Sequence, residues 1–334
     1  MKEVVITGLG PVTPWGIGRN NFNFTKSIHD ESQLLHSFKE EINNFKTPGR
    51  FTYLDRLTRL FLNATSLAIN DSGLNNQSDL ISQAGISFGS AFGGHELISE
   101  SSELIFNKGI NTVPASMLVF SDNNVGASFP SIVFGMKGPN TMLCTGICSA
   151  IQAICFAFHQ IKFFRSSCIF AGGGDAYSDW ICKYLDNQKA MEGVGVLCLE
   201  DKQQALSRQA NILGVIEKVK ILNFDKFNSA AEVLDLLVEW ADVGEHNKIT
   251  ILVTSGDDNW MEMNIKPLYS RYKMLEFISL NEWSGTAFSV PPILGIMACM
   301  IDDSWGKRIL HLNFDVLCGT VCAVLTNKEE YYGA

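Results

Sequence analysis

Apolar, β-prone segments alternate with helical segments twice along this chain, and that repeated alternation restricts it to a layered α/β protein with sheets covered on both faces. Lys2 to Gly8 (KEVVITG) reads as a short strand, after which Pro11 and Pro14 block a helix. Asp55 to Asp71 places Leu57, Leu60, Phe61, Ala64, Leu67 and Ala68 at helical spacing. A strand at Gln83 to Phe88 runs into a glycine-rich loop and a helix through about Phe106, and a further helix follows the break at Val113-Pro114. Asn140 to Leu143 is a strand that turns near Thr145-Gly146 into a long apolar helix, Ser149 to Phe164. Ser167 to Ala171 is a strand closed by three glycines, and Gly193 to Glu200 reads as a buried strand. The alternation then begins again. Strands at Ile212 to Val219 and Lys248 to Thr254 flank a helix at Ala230 to Ala241, and an apolar helix, Pro292 to Ile301, precedes closing strands at Ile309 to Val316 and Thr320 to Thr326. The expected halves are 1–200 and 201–334, packed as one body because no flexible linker divides them.

Charge and composition narrow the function. A net charge of −9 opposes nucleic acid, whose phosphates such a surface repels. No apolar run reaches the roughly 18 residues of a membrane span, so a cytoplasmic protein without membrane or targeting segment is expected. The nine cysteines lack paired CxxC spacing and are expected to be reduced and mostly buried, with no metal. The glycines at 93–94 and 172–174 open neither a GxGxxG nor a GKS/T motif, so no nucleotide cofactor is expected.

Five segments in order resemble a known family. Val4 to Gly16 (VVITGLGPVTPWG), Gly138 to Ile154 (GPNTMLCTGICSAIQAI), AGGGDA at 171–176, GVGVLCLED at 193–201 followed by Ala205, Arg208 and Ala210, and Ser284-Gly285 before an apolar helix are similar to β-ketoacyl-acyl-carrier-protein synthases. The resemblance implies a thiolase-like fold: two similar α/β halves in five αβαβα layers, used as a dimer.

It also implies a chemistry. In active members a cysteine at a strand-to-helix turn accepts the acyl chain, helped by the positive end of the following helix. Two histidines stabilise the carbanion formed when the extender loses CO2. Setting Gly138-Pro139 and Thr145 on the family pattern places the nucleophile at Ile147, the first histidine at Ser255, the second at Thr286, and a lysine at Asn281. Of the six histidines (His29, His36, His95, His159, His246 and His311), none lies within five residues of Ser255 or Thr286. The expected site is therefore catalytically empty. Cys148, one position on, remains as an alternative nucleophile, and Gln152 lies too far down the helix to replace a glutamine at the nucleophile position.

A ketosynthase-like chain without chemistry, but with the segment Asn140, Thr141, Met142, Leu143 and Cys144 that pairs across the family's two-fold axis, is expected to be a chain length factor. It would form a heterodimer with an active ketosynthase and shape the tunnel for an aromatic or polyene chain in type II polyketide biosynthesis. An acyl carrier protein would then dock mainly on the partner. By the same resemblance Phe92, His95, Ile98, Ser102 and Thr112 bound the far end of the tunnel, with His95, Ile98 and Ser102 on one helix face. The alternatives are a self-sufficient acyltransferase using Cys148, or a purely structural scaffold subunit.

Overall fold

A computed structural model describes residues 1–24, 54–177, 181, 192–224, 230–242, 249–272, 275–281 and 288–328. The strands are β1 (Val4–Thr13), β2 (Gly16–Ile17), β3 (Gly85–Gly89), β4 (Asn140–Leu143), β5 (Cys168–Asp175), β6 (Gly193–Asp201), β7 (Gly214–Asn223), β8 (Thr250–Ser255), β9 (Glu276–Ser279), β10 (Arg308–Asp315) and β11 (Thr320–Asn327). The helices are α1 (Arg56–Asp71), α2 (Ser78–Gln83), α3 (His95–Lys108), α4 (Ala115–Phe120), α5 (Val125–Phe134), α6 (Ser149–Lys162), α7 (Lys202–Ser207), α8 (Ala230–Trp240), α9 (Asp258–Asn264) and α10 (Val290–Ile301).

Strand order reveals an internal repeat. The hydrogen-bonded path runs β4-β3-β5-β6-β1-β7-β11-β10-β8-β9. In the first five strands β3 is parallel to β4 and β5, whereas β6 is antiparallel to β5 and β1. Read from the other end, β8 is parallel to β9 and β10, and β11 is antiparallel to β10 and β7. The repeats meet where β1 pairs with β7 through Val4–Ile216, Val5–Val215 and Ile6–Gly214.

Equivalent helices fill the middle. Ile151, Ile154 and Phe158 of α6 and Ile293, Leu294 and Met297 of α10 share one core with Ile169 and Leu197 of the first repeat and Leu252 and Val324 of the second. Every residue from Val290 to Met300 is buried, which accounts for the charge-free sequence of α10, since any charge there would be desolvated. On the outer faces, Leu57, Leu60, Phe61 and Ala64 of α1 cover the first repeat, and Val233, Leu234 and Leu237 of α8 cover the second. This is the five-layer thiolase-like arrangement that the resemblance implies.

The signature GVGVLCLED with Arg208 has a structural use. Glu200, fully buried on β6, accepts Arg208 Nε at 3.0 Å and the Thr7 hydroxyl at 2.6 Å, while Arg208 Nη1 donates to Ser72 O at 2.8 Å. The pair is hydrogen-bonded on all sides, as a buried ion pair must be.

The structure corrects one expectation about elements and gives the strand β4 an edge position. This strand ends the sheet, bonded among the described residues only to β3, and Asn140 is exposed with Thr141, Met142 and Leu143 half-buried. The single helix after Val113-Pro114 is two, α4 and α5, separated by a turn at 121–124. The short strand β9 and helix α9 carry too few residues for a periodic signal and were not read from the sequence.

Candidate functional site

The site is built where β4 turns into α6. The glycine ends of β3 and β5 let the helix start lie directly on the sheet: a side-chain carbon at Gly89 would stand 2.1 Å from Ser149 O, and one at Gly173 would stand 2.4 Å from Ala150 Cβ. Gly146 takes a left-handed φ of 92° in the turn itself. Ile147 and Cys148 follow, and the chain rotates between them so that they face different surroundings.

Ile147 is buried, with 7% of its surface exposed. Its N–H donates to Asp315 Oδ2 at 2.9 Å, and its carbonyl accepts Asn313 Nδ2 at 3.0 Å. Its side chain lies over the loop after β8: a side-chain carbon at Gly256 would stand 1.8 Å from Ile147 Cδ1. A hydrocarbon thus fills the place at the helix start and closes it against the residue after Ser255.

Ser255 is buried, and its hydroxyl accepts the Asp257 N–H at 3.2 Å, a local turn bond. Asn281 grips its backbone: Oδ1 accepts the Ser255 N–H at 3.1 Å, and Nδ2 donates to Ser255 O and to Asp258 Oδ1, the latter at 2.6 Å. The residue at the expected lysine position is therefore a clamp that fixes the end of β8. Thr286, with Ser284-Gly285, lies outside the described residues.

Cys148 points into the inter-sheet core. Its Sγ donates to Asn313 O at 3.2 Å, and its thiol is held well above the ordinary range by its hydrogen bond with Cys322 and by burial, with the nearby Asp315 adding to the shift. A thiol so placed is neither exposed nor ionised, the two conditions a nucleophile needs. Gln152 instead reaches back to the Thr145 hydroxyl. His311 is buried at mid-strand on β10, with Nε2 within 3.0 Å of Thr326 Oγ1 and its pKa lowered to about 3 by burial.

The residues expected around the tunnel separate. Phe92 packs edge-on against Phe288 with ring centroids 4.5 Å apart, and His95 stacks edge-on against Phe92 at 6.1 Å. Burial lowers the His95 pKa; Nδ1 lies 3.2 Å from Gly93 O, and Nε2 has no hydrogen-bond partner among the described residues. Ile98, Ser102 and Thr112 are exposed on the subunit's exterior. They do not line an enclosed wall, because α3 packs through Leu97 and Ser101, one position earlier on the helix. Ile105, Phe106 and Ile110 are exposed as well, as are Leu118 and Val119 on α4 and Ile132 on α5, which packs against β4.

Two acidic residues organise the site without having been singled out from the sequence. Asp315 accepts the N–H groups of Ile147 and Cys318, the latter at 3.0 Å. Asp175, buried at the end of β5, accepts Ala91 N–H at 2.8 Å, Ser289 N–H at 3.0 Å, and the hydroxyls of Ser90 and Ser289, both at 2.6 Å. It ties the loop that carries Phe92 to the start of α10.

Comparison with known proteins places this geometry. Residues 38–192 match the model of the β-ketoacyl synthase N-terminal domain. Over that segment the chain is similar to the β-ketoacyl synthases. The chain is 25% identical over 254 residues to 3-oxoacyl-[acyl-carrier-protein] synthase 2 of Synechocystis sp., covering 64% of this chain and 61% of that protein. It is 23% identical over 258 residues to the chloroplastic synthase I of Hordeum vulgare, covering 64% and 56%. The match thus spans less than two thirds of the length of these curated relatives. Among solved structures, a type II PKS acyl-carrier protein in complex with its ketosynthase bound to the hexaketide superposes with a TM-score of 0.84 at 20% identity, covering 98% of this chain and 100% of the other. The ishigamide ketosynthase/chain length factor superposes with a TM-score of 0.80 at 14% identity, covering 98% and 99%. The fold of this chain is therefore the ketosynthase fold. Among the described residues no helix is long and apolar enough to cross a membrane.

Proposed function

We propose that this chain is a non-catalytic, chain-length-factor-like subunit that pairs with an active ketosynthase and bounds the space into which a polyketide chain grows. The observation that carries the reading is Ile147: at the position that the resemblance assigns to the acyl-accepting thiol, the side chain is a buried hydrocarbon that packs over Gly256. Carbon–carbon bond formation by this family's route needs a thiolate and groups that stabilise a carbanion, and neither Ile147 nor Ser255 supplies one. The open edge of β4 and the apolar side chains of α3 to α5 support the pairing. On this reading Ile98, Ser102 and Thr112 face the partner, and an acyl carrier protein delivers the growing chain chiefly to the partner's site. The similarity to a ketosynthase/chain length factor structure agrees with it.

The test is co-expression with a ketosynthase encoded beside this chain, followed by purification, acylation assay and product analysis. The expected result is a stable heterodimer in which acyl groups load only on the ketosynthase, and in which Ser102→Phe shortens the product. Acylation of the isolated chain by an acyl carrier protein substrate would overturn the silent assignment. An unchanged product distribution with Ser102→Phe in an intact heterodimer would leave a scaffold in its place.

A further inference from the structure

The start of α6 is closed by more than the loss of a thiol. An α-helix presents unpaired N–H groups and a partial positive charge at its first turn, which is what lets such a site lower a thiol pKa and hold a developing oxyanion. Here the Asp315 carboxylate stands just ahead of that turn, at Ile147, two residues before the first helical residue Ser149. Its Oδ2 accepts the Ile147 N–H at 2.9 Å and its Oδ1 accepts the Cys318 N–H at 3.0 Å. Asp315 is itself only 1% exposed. Gly146 adjoins it so closely that a side-chain carbon there would lie 2.3 Å from Asp315 Oδ2. The turn is shaped around this carboxylate.

We propose that Asp315 is an internal anion that holds the N–H groups of Ile147 and Cys318 in the turn leading into α6, a second lock on the site that acts independently of the side chain at 147. The inference rests on the silent reading above and adds to it that restoring a thiol at position 147 does not restore an acceptor. A carboxylate beside an introduced thiol disfavours the thiolate by like-charge repulsion, and it takes the N–H that would otherwise hold a thioester oxygen. The neighbouring native thiols lie in the same field: burial raises the Cys318 pKa and Asp315 adds to it, and Asp315 contributes to the shift at Cys148 behind the bond with Cys322 and burial. The titratable groups around the position are Asp315 and Cys318 on and after β10, Cys148 on the turn, Cys322 on β11, and Asp258 behind Asn281.

The experiment compares Ile147→Cys with Ile147→Cys/Asp315→Asn in the full chain. The rate of iodoacetamide alkylation of the introduced thiol, followed against pH by peptide mass spectrometry, gives its pKa. Asparagine keeps the shape and one acceptor, and thermal melts establish that both variants fold. With Asp315 in place the thiol is expected to titrate above the ordinary cysteine value of about 8.5. The double variant is expected to titrate at least about one unit lower, which is about tenfold more thiolate at neutral pH. Should the double variant not fold, Ile147→Cys alone decides the matter. A pKa at or below the ordinary value in the single variant, or the same pKa in both variants, overturns the inference. Neither result bears on the silent reading, which falls only if the wild-type chain is acylated.

Discussion

Asp175 and Asp315 are the last residues of equivalent strands, and each bonds the segment that leads into the central helix of the opposite repeat. Asp175 ends β5 and accepts the N–H and hydroxyl of Ser289, the residue before α10; Asp315 ends β10 and accepts the N–H of Ile147, two residues before α6. The two carboxylates stitch the halves together crosswise.

Asp175→Ala is expected to be severely destabilising. Each buried donor left without a partner costs about 1–3 kcal/mol, and this change orphans several at once. Urea denaturation should show a loss of several kcal/mol, with Asp175→Asn losing clearly less. Equal midpoints for wild type and Asp175→Ala would contradict the role.

Asp55 gives stability a pH dependence of unusual sign. It caps α1 by accepting the Leu57 N–H at 2.8 Å, yet burial raises its pKa from 3.8 to about 7, with Glu96 adding to the rise and the Leu57 bond opposing it. Between those values the folded state holds the proton and the unfolded state does not, so this group's contribution to stability falls as pH rises from about 4 to about 7. Asp55→Asn keeps the cap. It should abolish that slope and be at least as stable as wild type at pH 8, as read from denaturation midpoints across the range.

His311 acts in the opposite direction. Its folded pKa of about 3 lies below the ordinary 6.5, so the unfolded chain takes up a proton first as pH falls through that window. Stability is fully present above about pH 6.5 and declines toward pH 3. Substituting His311→Gln should flatten the acid limb of the profile, and an unchanged limb would mean that the ring is solvated in the folded protein.

Phe106 and Ile132 separate association from folding. They are 91% and 68% exposed, and α5, which carries Ile132, packs against β4. Phe106→Glu and Ile132→Glu should change the stability of the isolated chain by no more than about 0.5 kcal/mol. Together they should weaken capture by the ketosynthase partner at least tenfold in a pull-down titration. Undiminished capture would move the interface elsewhere.

Much of the architecture was legible because strand and helix periods are local. The helices α1, α6 and α10 and the strands β4, β5 and β10 could be placed from residue spacing alone. Ile147 was reached by a different route: the resemblance sets Gly138-Pro139 and Thr145 on the family pattern, and an isoleucine has no nucleophilic atom whatever surrounds it. Asp315 was not, because its partner lies 168 residues away and nothing in the adjacent residues marks the contact. Asp175 stood inside a quoted motif, but its role needed the position of Ser289. Helical spacing put His95, Ile98 and Ser102 on one side of α3 without saying which side packs; Leu97 and Ser101 took the inward position.

The margin at β4, unpaired on its outer side among the described residues, also bears on supply under the pairing proposed above. Backbone donors and acceptors along an edge strand invite any extended strand, so surplus copies of such a subunit are prone to stick to one another. If the proposed pairing holds, balanced synthesis of the two chains keeps that margin covered from the moment it forms.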